Sequence, residues 1–162
     1  MLLTIRPAER ADIPLMLGFV KELAEYEREP HAVVATEALL DRALFGAPGA
    51  APVCSAIIGE IDGIAEGFAL YYTTFSTWLG RSGVYLDDLY VRPAARGSGL
   101  GKALLTHIAR IAHARGGRLE WSVLNWNEPA IGFYTKLGAR PQSDWTVYRL
   151  AGDALARVAT GG

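Results

Sequence analysis

The chain has 162 residues, 51% hydrophobic and 20% charged, enough to bury the core of one compact domain. With 16 basic residues against 17 acidic ones and a net charge of -1, no overall field draws it to nucleic acid or anionic lipid. The single cysteine, Cys54, excludes an internal disulfide and a zinc site of several thiolates.

No signal-peptide core opens the sequence and no apolar run reaches about 18 residues, so a cytoplasmic protein without a membrane partner is expected. LLTIRPA alternates as a short strand that meets Pro7. Asp12 stands where it would cap a helix through LMLGFVKELAEYE, on which Leu15, Phe19 and Leu23 share one face. Thr36 is the expected cap of TEALLDRALF, and GAPGAAP after it carries too much Gly and Pro to be anything but loop. VCSAIIGEIDGIAEGFALYYTTF reads as two strands around Asp62-Gly63, a dipeptide suited to the positive φ angles of a hairpin turn.

SGVYLDDLYV is the next strand. After a glycine turn comes a helix with Leu100, Leu104, Ile108 and Ile111 at helical spacing, ended by Gly116-Gly117. RLEWSVL sets Leu119, Trp121 and Val123 on one strand face, Asn127 caps EPAIGFYTKLG with Pro129 in its first turn, and DWTVYRL is the last predicted strand. The order βααβββαβαβ has an antiparallel front half and a strand-helix-strand back half, without internal repeats. It predicts an α/β (mixed α+β) fold with one mixed, mostly antiparallel sheet, helices on both faces, and a single domain over residues 1–162.

The glycine turn, Arg96-Gly97-Ser98-Gly99-Leu100-Gly101, opens a helix, so unblocked N–H groups and the positive end of the helix dipole suit phosphate oxygens. An ATP-binding P-loop needs Gly at Arg96 and Ser or Thr at Ala103. A dinucleotide fingerprint needs a small residue at Leu104 and a parallel sheet before it. Both readings fail.

An arginine before alternating glycines resembles the pyrophosphate loop of the GNAT superfamily of acyl-CoA-dependent N-acetyltransferases. TTFSTWLGRSGVYLDDLYV, NWNEPAIGFYTKLGA and KELAEYE are similar to its spermidine/spermine and thialysine acetyltransferase branch, in matching order from about Arg6 to about Leu150. The resemblance implies acetyl-CoA as cosubstrate. Main-chain groups of Leu89, Tyr90 and Val91 would pair with its pantetheine arm, Arg96, Gly97, Ser98, Gly99, Leu100 and Gly101 would hold the pyrophosphate, and Asn127 would contact the cofactor as well as cap its helix.

An alkylammonium of pKa about 10.4 costs roughly 4.6 kcal/mol to deprotonate at pH 7, so a carboxylate must take its proton. The resemblance places Asp87 where the family carries a glutamate base acting through water. Asp87 and Asp88 are strand neighbours and are expected to face opposite sides of the sheet, so only one should serve as base, and Asp88 is assigned to substrate binding. Tyr134, of the family's FY pair, is the implied proton donor to the leaving thiol and also touches the cofactor.

Tyr26 and Glu27 match a substrate-lining pair, standing out from the acidic run Glu22, Glu25, Glu27 and Glu29, and Trp78 and Trp145 are candidate walls for a methylene chain or cation. His31, His107 and His113 lack partners at metal or triad spacing, so no metal is expected. The implied activity is direct acetyl transfer to a primary amine of a polyamine-like or short aminoalkyl compound such as thialysine, in a homodimer. Two other readings stay open at this point: acetylation of a protein N-terminus or lysine, and a CoA-binding sensor that performs no chemistry.

Overall fold

The computed structural model describes residues 1–161 and divides into two compact units, 1–122 and 123–162. The first unit carries one five-stranded sheet in the order β1-β2-β3-β4-β5: Leu3–Pro7, Ser55–Ile61, Ile64–Ser76, Arg81–Val91 and Leu119–Glu120. The first four strands pair antiparallel and β5 runs parallel to β4, so the mixed, mostly antiparallel sheet is as the sequence predicts. The helices of this unit are α1 (Ile13–Tyr26), α2 (Glu37–Phe45) and α3 (Leu100–Ala114).

Local chemistry explains most boundaries. Asp62 and Gly63 both take positive φ, 50° and 81°, the geometry of a two-residue hairpin turn between β2 and β3. Thr36 accepts the Leu39 N–H at 3.3 Å and starts α2. Asp12 does not cap α1 as expected. Its carboxylate takes both terminal nitrogens of Arg6, at 2.7 and 2.9 Å, and the Glu9 N–H at 2.8 Å, because a guanidinium fork is a stronger partner than helix N–H groups.

Met16, Phe19, Ile58, Phe68, Leu70 and Tyr90 form a core on the α1 and α2 side of the sheet. Leu100, Leu104 and Ile108 of α3 are buried as their spacing predicts, and Leu100 and Leu104 lie against Gly59 of β2.

Two strand expectations change. RLEWSVL yields only Leu119–Glu120, paired with Val84 and Tyr85. β4 carries an extra residue two positions beyond Tyr85, and a bulge bends and twists the strand that holds it. DWTVYRL is not a strand: Val147 and Tyr148 are exposed, and no ladder forms there among the described residues. Alternation needs a paired edge to become a strand, and no described strand pairs with this segment. The second unit instead holds α4 (Glu128–Lys136) and a helix absent from the predicted order, α5 (Gly152–Ala159).

Candidate active site

The extra residue in β4 is Asp87. Leu86 pairs with Tyr71 and Asp88 pairs with Leu70, so Asp87 lies between them without a counterpart on β3. Directly opposed residues share a sheet face. Asp88 therefore lies on the face of Leu70, toward α1, whereas Leu86 lies on the other. The expected alternation of Asp87 and Asp88 fails for this reason. Instead the charge of Asp87 acts on Asp88, Tyr72 and Cys54, and Cys54 packs against the core on the α1 side.

Glu27, at the C-terminal end of α1, adds a third carboxylate. Burial, and then the charges of Asp87 and Glu27, push the Asp88 carboxyl up to about 7. Burial also raises the Asp87 and Glu27 carboxyls. Among the described residues none of the three forms an ion pair. Glu22, one turn earlier, differs: it binds Arg92 at 3.2 Å and is already neutralised. Of the acidic run only Glu22 forms an ion pair among the described residues, and Glu27 is the unpaired member whose charge reaches Asp88.

β4 leaves β5 after Tyr85, so Leu86 to Val91 have ladder partners only on the β3 side among the described residues. Leu89, Tyr90 and Val91 oppose Ala69, Phe68 and Gly67. The Tyr90 ring belongs to the core, 5.9 Å from Phe19, and burial together with a hydrogen bond to Glu22 pushes its phenol up to about 12. What Tyr90 offers a ligand is backbone.

The chain then turns through Pro93–Ala95 into the glycine loop. Gly97 and Gly99 have φ of 83° and 92°, in the left-handed region where a side chain is strained. Ser98 Oγ accepts the Leu100 N–H at 3.2 Å, and Gly99, the residue before α3, gives the helix no side-chain cap. Gly101 and Lys102 follow at the positive end of a 15-residue helix, where the leading N–H groups lack partners within the helix, before the Ala103 N–H closes onto the Gly99 carbonyl at 3.0 Å. Arg96 does not lie over these groups. Its guanidinium stacks 4.8 Å from the centre of the Tyr26 ring and donates from Nε to the Val91 carbonyl at 3.1 Å. It therefore joins two residues predicted for different ligands.

In the second unit Asn127 is buried and accepts the Ala130 N–H at 3.4 Å, the predicted cap of α4. Tyr134 lies at the end of the second turn of α4, half-buried, its ring 5.3 Å from that of Phe133. Trp145 is in the segment without regular structure, 70% exposed. In the first unit, Trp78 sits in the turn between β3 and β4, 80% exposed.

A strand with one free edge thus leads through a glycine turn into the start of a helix. The model of the acetyltransferase (GNAT) family matches residues 18–139. The chain belongs to the GNAT acetyltransferase family.

This GNAT enzyme is 36% identical over 167 residues to the thialysine N-epsilon-acetyltransferase of Bos taurus, covering 96% of each chain. It is 29% identical to an L-ornithine N5-acetyltransferase of Arabidopsis thaliana, over 95% of this chain and 86% of that one. A solved integron cassette protein from the V. cholerae mobile metagenome superposes with a TM-score of 0.78 at 27% identity, covering 98% of both chains. These likenesses establish an N-acetyltransferase acting on amines, in the thialysine and spermidine/spermine branch that the sequence resembles.

Sequence reasoning missed three features of this GNAT site: the bulge, the ion pair that removes Glu22, and a stacked tyrosine pair, Tyr72 and Tyr85. The doublet Asp87-Asp88 was the available signal, because two adjacent acids in an otherwise apolar strand fit a break in its alternation.

Proposed function

We propose that the protein transfers an acetyl group from acetyl-CoA directly to a primary amine of a small alkylammonium compound, either polyamine-like or an aminoalkyl amino acid such as thialysine. The observation that carries this reading is the set of unpaired carboxylates Glu27, Asp87 and Asp88 on the α1 side of β4. Such a set attracts an ammonium and then takes a proton from it. The names of the thialysine and ornithine acetyltransferases point to the same acceptor chemistry.

Acetyl-CoA supplies an activated acyl thioester. Main-chain groups of Leu89, Tyr90 and Val91 on the free β4 edge suit its pantetheine arm, and Arg96 to Gly101 suit its pyrophosphate through leading N–H groups and a guanidinium. Asn127, already a cap, adds a polar contact to the same ligand. On the acceptor side Tyr26 and Trp78 of the first unit wall the chain, Trp145 being added by the family resemblance alone, and Asp87 receives the amine proton through an ordered water, with Asp88 and Glu27 holding the ammonium beforehand. Burial raises the Asp87 carboxyl and so strengthens it as a proton acceptor, which this step needs, since the free amine is about 3.4 pH units from losing its proton at pH 7. Tyr134, whose phenol is a hydrogen donor, gives a proton to the leaving sulfur.

Cys54 takes no part as a nucleophile: burial, and then the Asp87 charge, raise its thiol and keep it protonated. The unpaired alternating segment with Val147, Tyr148 and Leu150, followed by exposed Leu155 and Val158 on α5, supports a homodimer. No described helix is long and apolar enough to cross a membrane, and we infer a cytoplasmic enzyme of one catalytic domain.

The test is a thiol-release assay with acetyl-CoA and a panel of alkylamines, diamines, thialysine, ornithine and peptide N-termini. CoA release with aminoalkyl acceptors is expected. Release only with peptides would assign a protein acetyltransferase, and tight acetyl-CoA binding with no release from any amine would assign a sensor.

A further inference from the structure

We propose that the stacked pair Tyr72 and Tyr85 is the acceptor wall that sets which amines this enzyme accepts, receiving the methylene chain next to the reacting ammonium. The inference rests on the amine-acetyltransferase reading above and adds the residues that choose among amines.

Tyr72 and Tyr85 oppose each other on β3 and β4, one pair before the bulge. Their rings stack with centroids 5.3 Å apart and planes at 24°. Leu70 and Tyr72 are two residues apart on a regular stretch of β3, so the stack lies on the face of Leu70 and its partner Asp88. That is the face of the unpaired carboxylates.

The stack is fixed at one end. Tyr85 Oη and Ser122 Oγ are 2.6 Å apart, a hydrogen bond that ties the ring to the segment just after β5. Tyr72 is 37% exposed, so part of its ring remains open to a ligand while Tyr85 supports it from behind. The nearby charge of Asp87 adds to burial in keeping the Tyr72 phenol neutral.

An aromatic face beside carboxylates matches one ligand chemistry. The ring quadrupole and the acids both favour a cation, and the flat ring covers methylenes that the acids cannot. An alkylammonium with several methylenes next to its nitrogen gains from both. An amine with a carboxylate close to the nitrogen is repelled by Asp87 and Asp88, so α-amines of amino acids are poor acceptors and ω-amines good ones.

The experiment measures kcat and KM for a series of alkylamines and α,ω-diamines of increasing chain length, with wild type, Tyr72→Leu, Tyr72→Phe and Ser122→Ala. Tyr72→Leu should raise amine KM by about 3- to 10-fold, more for longer chains, with acetyl-CoA KM unchanged. Tyr72→Phe, which keeps the ring, should rise no more than about 2-fold, and Ser122→Ala should fall between them. Tyr72→Thr, a residue well suited to a strand, makes the same comparison if the Leu variant does not fold. An active wild type whose amine KM is unchanged in Tyr72→Leu or Tyr72→Thr overturns the wall alone. A wild type that acetylates no amine overturns the parent reading and the wall with it.

Discussion

The guanidinium of Arg96 stacks on the ring of Tyr26, 4.8 Å from its centre, although one residue belongs to the glycine loop and the other to the end of α1. The first is expected to meet phosphate, the second the acceptor. A phosphate that recruits Arg96 must draw it from Tyr26 and from the Val91 carbonyl. Arg96→Ala should weaken acetyl-CoA binding by about 10-fold, the scale of one charge-assisted contact. Tyr26→Leu should change acetyl-CoA affinity as well. Isothermal titration with acetyl-CoA measures both, and an unchanged Kd in Arg96→Ala would place the pyrophosphate away from this arginine.

Asp88 makes stability depend on pH in a definite direction. Its carboxyl lies at about 7 in the folded protein against 3.8 for the free group, so the folded state binds the proton more tightly. Between about pH 4 and pH 7 the unfolded chain carries fewer protons, and stability falls as pH rises through that window. Asp88→Asn should therefore melt a few degrees higher than wild type at pH 8 and show little gain at pH 4. Scanning calorimetry at the two pH values tests this, and equal gains at both would remove the titration as the cause.

Tyr134→Phe leaves the ring in α4 and takes away only the proton. Turnover should fall about 10²-fold, the lower end of what a positioned acid contributes, while acetyl-CoA affinity changes little. Wild-type turnover in the variant would end the acid assignment.

Arg6 joins three elements, meeting Asp12 at the start of α1 through two bonds and Glu60 of β2 at 2.7 Å. Without the guanidinium, two partly buried carboxylates face each other unpaired. Arg6→Met should cost about 3 kcal/mol in urea unfolding, and Arg6→Lys somewhat less, because an ammonium cannot make the forked contact. A loss below about 1 kcal/mol in Arg6→Met would show that water already screens the cluster.

What could be read from the sequence is what depends on neighbours in the chain. The Asp62-Gly63 turn, the Thr36 and Asn127 caps and the buried stripe of α3 each follow from a few adjacent residues, and each is where the sequence puts it. The glycine loop was legible for the same reason. Features that depend on a distant partner were not. Asp12 turned to Arg6 across a strand-helix junction, Glu22 turned to Arg92 just after β4, and the parity of Asp87 and Asp88 was decided by register against β3. DWTVYRL has the alternation of a strand but lacks the edge that would make it one, a condition no local pattern can express.

The inserted residue in β4 also reverses the strand's odd-even rule. Before it, the even-numbered Val84 and Leu86 lie on the face away from α1; after it, the even-numbered Asp88 and Tyr90 lie toward α1. Removing one residue at this point would straighten the ladder and invert one half of the strand, sending Val84 and Leu86 into the wrong layer or Tyr90 out of its own. The deletion would break the core before any chemistry could be assayed. The irregularity that brings two acids to one side is thus protected by hydrophobic packing on both sides of the sheet, and substitution at Asp87 or Asp88 can tune the site while a change of length there cannot.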